Sequence, residues 1–397
     1  MNDWAMNTSR VRGCLLGGAI GDALGAPVEF LSLAEILQRF GEGGVRDFVE
    51  MAYGADRGVG LITDDTQMTL FTLEGVINAL IRRERGLGFT TGVLHHSYLK
   101  WFHTQTSTTF PEPEEGWLVR QRWLYSRRAP GNTCLQALGS WKRTEDTGWG
   151  TPARNDSKGC GGVMRSAPIG FLALLEGRQG LPSVFDIATE AASYTHGHPT
   201  GQIASGAFAL LIGHLMLGAD LEAAARETLR YVQQVPRGQE TARALMMAME
   251  NVDLERRPNR AHLETLGGGW VAEEALAIAL HCALTYPEPH RMLDALSMAA
   301  THSGDSDSTA AICGNILGTL HGDGALPKHL AFRVEGRATI LEMADDVMYE
   351  LADGGRGGAD DMLVLRPGAD SWERMGDGSY GTPGLHIDAW YERYPAY

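Results

Sequence analysis

The sequence has no C-x-x-C pair. Its five cysteines, Cys14, Cys134, Cys160, Cys282 and Cys313, are odd in number and scattered, which argues against a zinc knuckle or a disulfide framework and suits reduced thiols in a cytoplasm. No basic amino-terminal segment leads into a cleavable apolar run, and the apolar stretch at 14–28 is broken by Asp22. Neither a signal peptide nor a membrane span is therefore expected. Positive charge is in deficit: 34 Lys and Arg against 49 Asp and Glu give a net charge of -15. That balance argues against unaided binding to nucleic acid or anionic membrane and suits a partner presenting a cationic side chain. Alternating β-branched runs are almost absent, the best being a short piece at 45–49, and no period of 20–50 residues repeats. A sheet-based fold and a solenoid are both disfavoured.

What remains is helical pattern. Apolar periodicity predicts helices at 68–80, 184–194, 202–217, 221–232, 241–249, 272–284, 291–300, 309–320 and 337–351. Gly13, Gly17, Gly21 and Gly25 recur every four residues, and the habit returns at Gly314 and Gly318. On a helix this spacing lines one face and lets a second backbone approach closely. Each interior glycine costs roughly 0.5–1 kcal/mol relative to alanine, so the series implies a packing or ligand requirement. With 44% hydrophobic and 8% aromatic residues and no dividing linker, the 397 residues read as one all-α domain. Its core runs from about 11 to 351, followed by a Gly-rich tail at 352–397 whose Trp390, Tyr391, Tyr394 and Tyr397 suggest docking.

Two acidic clusters far apart in sequence each run into an apolar helical stretch: Thr63-Asp64-Asp65-Thr66 and Gly304-Asp305-Ser306-Asp307-Ser308-Thr309. Carboxylates and hydroxyls are the hard oxygen donors that Mg²⁺, Mn²⁺ or Ca²⁺ prefers. Crowded without a cation, four aspartates would repel one another. Asp, Ser and Thr are also favoured helix N-caps, which is the competing reading. An EF-hand is excluded, since Ala310 and Ile316 stand where that loop needs Gly and Glu.

Four further segments can carry chemistry. Around Gly159-Cys160-Gly161-Gly162, preceding Met164 and an apolar helical pattern, backbone N–H groups can approach a phosphate, or the glycines merely allow a tight turn. Thr195-His196-Gly197-His198 has no third zinc ligand at suitable spacing, which leaves ligand hydrogen bonding, capping or a core role. Cys160 paired with one of these histidines is a conceivable nucleophile, without a family-type signature. Trp270, after Gly267-Gly268-Gly269, can stack on a base or sit in the core, and Glu29 is either an acid–base group or a solvated carboxylate.

Together the segments resemble the ADP-ribosylglycohydrolase family. The carriers are Gly21-Asp22-Ala23-Leu24-Gly25 with Glu29, Thr63-Asp64-Asp65-Thr66, Lys158-Gly159-Cys160-Gly161-Gly162-Val163-Met164-Arg165, Thr195-His196, Gly268-Gly269-Trp270 and Gly304-Asp305-Ser306-Asp307-Ser308, spread over about 11–322 with a weaker echo at 390–397. The resemblance implies a compact, nearly all-α helical bundle with two Mg²⁺ or Mn²⁺ ions in a cleft. It makes Thr63, Asp64, Asp65, Asp305, Asp307 and Ser308 the ligands, with Asp307 bridging. Gly159, Cys160, Gly161, Gly162, Met164 and His196 would hold the diphosphate and adjacent ribose, and Trp270 the adenine. The distal ribose would lie over the metals, with Glu29 near its anomeric carbon and Asp64, Asp65 and Asp307 sharing the catalysis. The implied activity is hydrolysis of the bond joining ADP-ribose to an acceptor. Asp305-x-Asp307-Ser308 and Lys158-Gly159-Cys160-Gly161 look more like the arginine-specific branch than the serine-specific one. The acidic run Glu112-Pro113-Glu114-Glu115 is either a guanidinium-welcoming loop or a solvated face. Other acceptors, a non-catalytic ADP-ribose-binding member and a metal-dependent phosphoesterase are the alternatives.

Overall fold

A side chain at any of four glycines in the first helix would collide with the backbone of a helix nearly 300 residues away. The computed structural model describes residues 3–54, 56–112, 115–142, 150–250, 252, 260–353, 390, 393 and 394. In chain order its helices are α1 (Asp3–Gly25), α2 (Leu33–Phe40), α3 (Asp64–Glu84), α4 (Gly92–Thr106), α5 (Asn132–Lys142), α6 (Ala173–Glu176), α7 (Leu181–Ser193), α8 (Pro199–Met216), α9 (Leu221–Val232), α10 (Gln239–Met249), α11 (Arg260–Thr265), α12 (Ala272–Thr285), α13 (Met292–Ala299), α14 (Ser306–His321), α15 (Lys328–Ala331) and α16 (Arg337–Asp353). The all-α expectation holds.

A Cβ built on Gly13, Gly17, Gly21 or Gly25 would stand 2.3, 2.4, 2.0 or 2.2 Å from the carbonyl oxygen of Gly318, Gly314, Ala310 or Ser306. The order of partners makes α1 and α14 antiparallel, in backbone contact along their length. Both are buried over most of their residues, as expected of helices enclosed on all sides. Around this pair, α3 and α16 pack against α1, while α12, α13 and α8 pack against α14. Arg12 of α1 is locked to Asp345 of α16 by two hydrogen bonds of 2.7 and 2.8 Å. Gly21→Ala is expected to cost at least about 1–3 kcal/mol in urea unfolding, the scale of core overpacking. Unchanged stability would mean that the helices do not meet there.

Two expectations need correction. The strand piece at 45–49 has no strand conformation; the sheet among the described residues is an antiparallel hairpin of β1 (Glu50–Tyr53) and β2 (Asp56–Val59) just after it. The glycine loop at 159–162 does not open a long helix. It runs through turns into a 3₁₀ stretch, Ala167–Leu172, ahead of the one-turn α6, so the helix expected to follow it directly is not there. Of the tail, the described Trp390, Arg393 and Tyr394 are buried. They bond to Glu350, Glu342 and Asp346 of α16 at 2.9, 2.7 and 2.6 Å. Tyr391 and Tyr397 lie outside the described residues, as do Pro113 and Glu114 of the acidic loop.

Candidate active site

The antiparallel pairing sets the carboxyl end of α1 beside the amino terminus of α14. Asp22, one turn before the end of α1, then ties in α3. Its two oxygens each accept the Thr63 N–H at 3.0 Å, and Oδ2 also accepts the Thr66 N–H at 3.1 Å and the Thr66 hydroxyl at 2.5 Å. Asp22 is fully buried. Sequence reasoning missed it as a site residue, although a lone carboxylate breaking an apolar helix was a usable signal.

The two acidic clusters are thereby brought together. Thr63 caps α3 by accepting the Asp65 N–H at 3.3 Å, and Asp305 caps α14 by accepting the Ser308 N–H at 3.3 Å. The capping reading is thus correct for these two and compatible with the site. The Ser308 N–H also reaches Asp307 Oδ1 at 2.9 Å, and Asp64 Oδ2 accepts the Gly131 N–H at 3.3 Å. Glu29, expected beside a substrate, has its carboxylate in the cluster: one oxygen each from Glu29, Asp305 and Asp307 lie within 4.8 Å of one another. Asp65 Oδ1 is buried without a hydrogen-bond partner.

Among the described residues none of these carboxylates forms an ion pair, and their proton affinities respond. Burial, then the charge of Asp307, holds Asp64, Asp65 and Asp305 well above the usual carboxylate range. The same causes push Asp22 up to about 7. Glu29 is pushed up to about 10 by burial and then by Asp307, Asp305, Asp64 and Asp22. An orphaned buried oxygen among hard donors fits a divalent cation. A carboxyl whose affinity rises on folding contributes its stability below its unfolded pKa of about 4 and loses it as pH climbs through the raised value. Metal-free protein is therefore expected to melt at a lower temperature at pH 8 than at pH 5, with added Mn²⁺ raising the melting temperature more at pH 8. Scanning calorimetry in EDTA and in Mn²⁺ checks this; a pH-independent, metal-independent transition would contradict it.

The other predicted residues line the same centre. Cys160 donates its thiol to Asp305 Oδ2 at 2.8 Å. Burial, then Asp305 and Asp65, holds that thiol protonated, which argues against a thiolate nucleophile. Cys160 N–H bonds to the Trp270 carbonyl at 3.2 Å and Ala272 N–H to the Lys158 carbonyl at 2.9 Å, so the glycine loop and the Trp270 segment are stitched together. His196 is buried behind the loop, where a Cβ on Gly161 would lie 3.1 Å from its ring. Burial, then Arg165, lowers it to about 3, so it is neutral. His198 accepts the Thr200 N–H at 3.1 Å and caps α8. Met164 is buried with its sulfur 4.0 Å from the Ser308 hydroxyl. Trp270 is 43% exposed, which excludes the core reading, and its ring stacks on that of Phe30.

A cavity of about 1070 Å³ adjoins the start of α3, lined by Tyr53, Asp56, Arg57, Arg122, Arg128 and Glu335. The Arg128 carbonyl accepts the Asp64 N–H at 3.2 Å. Its guanidinium bonds to Glu335, and at 3.4 Å to Asp56, and lies 5.7 Å from the centre of the Tyr53 ring. The Tyr53 hydroxyl is pushed up by burial and then by Asp22, Asp307 and Glu29, which places Tyr53 near the carboxylates.

The chain has counterparts among known proteins. The family model for ADP-ribosylglycohydrolase matches residues 4–357. An uncharacterized protein of Archaeoglobus fulgidus is 30% identical over 86% of this chain and 96% of its own length. The ADP-ribosyl-[dinitrogen reductase] glycohydrolase of Rhodospirillum rubrum is 26% identical over 80% of this chain and 87% of its own. The ADP-ribosylarginine hydrolase Tri1 of Serratia proteamaculans is 24% identical over 86% and 79%. A solved structure described as an ADP-ribosylglycohydrolase-related protein complex shares the fold, with a TM-score of 0.60 and 23% identity over 87% of this chain and 99% of that one. The family is metal-dependent, in keeping with the carboxylate cluster. With a match spanning almost the whole of the helical core and every motif of the site, the chain belongs to the ADP-ribosylglycohydrolase family and is an enzyme of that type.

Proposed function

We propose that the enzyme hydrolyses the bond between ADP-ribose and a modified arginine, releasing intact ADP-ribose. The observation that carries this reading is the convergence of Glu29, Asp305 and Asp307 beside the orphaned Asp65 Oδ1, in a chain similar to a named ADP-ribosylarginine hydrolase. Thr63, Asp64, Asp65, Asp305, Asp307 and Ser308 would hold two Mg²⁺ or Mn²⁺ ions. Bound there, such a pair supplies Lewis acidity and fixes the ribose hydroxyls.

The chain's own residues do the rest. Asp22 holds the start of α3 in register, so that Asp64 and Asp65 face Asp305 and Asp307. Glu29, half-buried among those carboxylates, is placed to hold or pass a proton at the anomeric centre. The stitched loops of Gly159-Cys160-Gly161-Gly162 and Trp270 offer backbone N–H groups and an exposed ring to the diphosphate and base, with His196 behind them. Five free cysteines support a reducing compartment such as the cytoplasm, and among the described residues no helix is long and apolar enough to cross a membrane.

The test is ADP-ribose release from arginine-, serine- and nucleic-acid-linked ADP-ribose, side by side, with Mg²⁺ or Mn²⁺ and with EDTA. Metal-dependent release of intact ADP-ribose, fastest from the arginine linkage, is expected. Release of AMP would point to phosphoester cleavage and overturn the proposal.

A further inference from the structure

Phe30 directly follows Glu29 and is built against its own backbone preference. The Leu31 N–H bonds to the Val28 carbonyl at 2.9 Å, closing a turn with Glu29 and Phe30 at its centre. Phe30 has φ of +71°. A turn with positive φ at its second central residue favours Gly or Asn, and any larger side chain is strained there. Core burial does not offset that strain, because Phe30 is 71% exposed. What the ring does touch is Trp270, itself 43% exposed, with centroids 5.1 Å apart and planes 24° from parallel.

The two rings come from opposite shores of the carboxylate cluster. Phe30 stands on the turn that carries Glu29 at the end of α1. Trp270 stands on the loop pinned to Cys160 by its carbonyl and to Asp305 through the Gly268 carbonyl, which accepts the Asp305 N–H at 2.8 Å. Its glycines are held further by Glu274, which accepts the Gly268 and Gly269 N–H groups at 3.0 and 3.2 Å. The Trp270 side is therefore rigid, and the Phe30 turn is the strained partner. Strain held at a rim, away from any core, is a mark of function. Two stacked, solvent-facing rings beside an anionic centre suit the flat face of a nucleobase.

We propose that Phe30 is a substrate-positioning and specificity residue: with Trp270 it forms an aromatic clasp across the mouth of the site, on which the base of a nucleotide ligand stacks. Because Phe30 and Glu29 are adjacent in one turn, seating the base also holds Glu29 over the cluster. A ligand with ribose and phosphate but no base gains neither effect. The inference rests on the function proposed above.

The test uses the full chain with Mn²⁺ and measures affinity for ADP-ribose and for ribose 5-phosphate by calorimetry, for wild type, Phe30→Gly, Phe30→Tyr and Trp270→Ala. Phe30→Gly removes the ring and relieves the turn, so its melting temperature should hold or rise. Its ADP-ribose affinity should fall about 5- to 150-fold, the range of one lost base–aromatic stack, with ribose 5-phosphate affinity unchanged. Phe30→Tyr should retain both, and Trp270→Ala should resemble Phe30→Gly in affinity. Equal weakening of both ligands, or no weakening of either, in Phe30→Gly would overturn the clasp while leaving the hydrolase reading intact. Wild-type protein that binds neither ligand would overturn the hydrolase reading itself.

Discussion

Replacing Asp307 by alanine is expected to lower ADP-ribose release by about 10³-fold or more, the scale of several kcal/mol of lost cation chemistry. In metal-free protein the same change should raise the melting temperature. The two signs follow from one geometry. The charge of Asp307 helps to raise the proton affinity of Asp22, Asp64, Asp65, Asp305 and Glu29, so it is the carboxylate that all the others feel. Without a cation it is a source of repulsion at neutral pH, and its removal relieves the fold. With a cation bound it would be one of the donors, and its removal would take away the stabilisation that metal confers. Calorimetry of wild type and Asp307→Ala, each in EDTA and in Mn²⁺, separates the two effects. A variant with full activity after EDTA, or with an undiminished Mn²⁺-induced rise in melting temperature, would sink the metal assignment.

How much of this was legible in the sequence depended on whether the relevant force leaves a periodic trace. A close helix approach at these glycines was readable because glycine at a four-residue spacing has one steric meaning; that the partner is α14 comes from the structure, which puts Gly17 and Gly314 backbone to backbone. Helices with one apolar face were found nearly to the residue: α9 was predicted and occurs at Leu221–Val232. By contrast α4 was missed, because it buries His95, Ser97, Lys100 and Gln105 alongside its apolar residues and so has no polar stripe. Lys100 is tolerated there by its 3.2 Å ion pair with Glu74, a long-range pairing that no local window reports. The hairpin was not foreseen, since Asp56-Arg57-Gly58 carries no β-branched alternation.

At the site the same division holds. Residue types announced hard-donor chemistry at 63–65 and 305–308, but only tertiary structure reveals that Asp22 braces α3 or that Phe30 leaves the core to meet Trp270. The tail was read from its aromatics, and what fixes Trp390 and Tyr394 is burial together with carboxylates of α16. Such pairings depend on which helices become neighbours, and neither spacing nor composition encodes that.

Glu29→Gln is expected to lower kcat by about 10²–10⁴-fold while ADP-ribose affinity changes little. Glutamine keeps the size and hydrogen-bonding reach of the side chain but cannot exchange a proton. In the metal-free protein burial and four neighbouring carboxylates push Glu29 up to about 10, so that it is protonated at neutral pH. Neutralising those neighbours removes the electrostatic part of the push and leaves burial, which brings the carboxyl toward the working pH where acid–base catalysis is most effective. Glu29 is thus a group whose proton is released or held according to the charge state of the aspartates beside it. The signature is in the pH–rate profile: wild type should show a limb that Glu29→Gln lacks, with the variant flat and low across the same range. Glu29→Asp, which keeps the carboxyl on a shorter stem, should recover part of the rate and the limb with it. If Glu29→Gln turns over ADP-ribosylarginine at close to the wild-type rate, proton transfer belongs to the aspartates, and Glu29 serves only to cover the cleft.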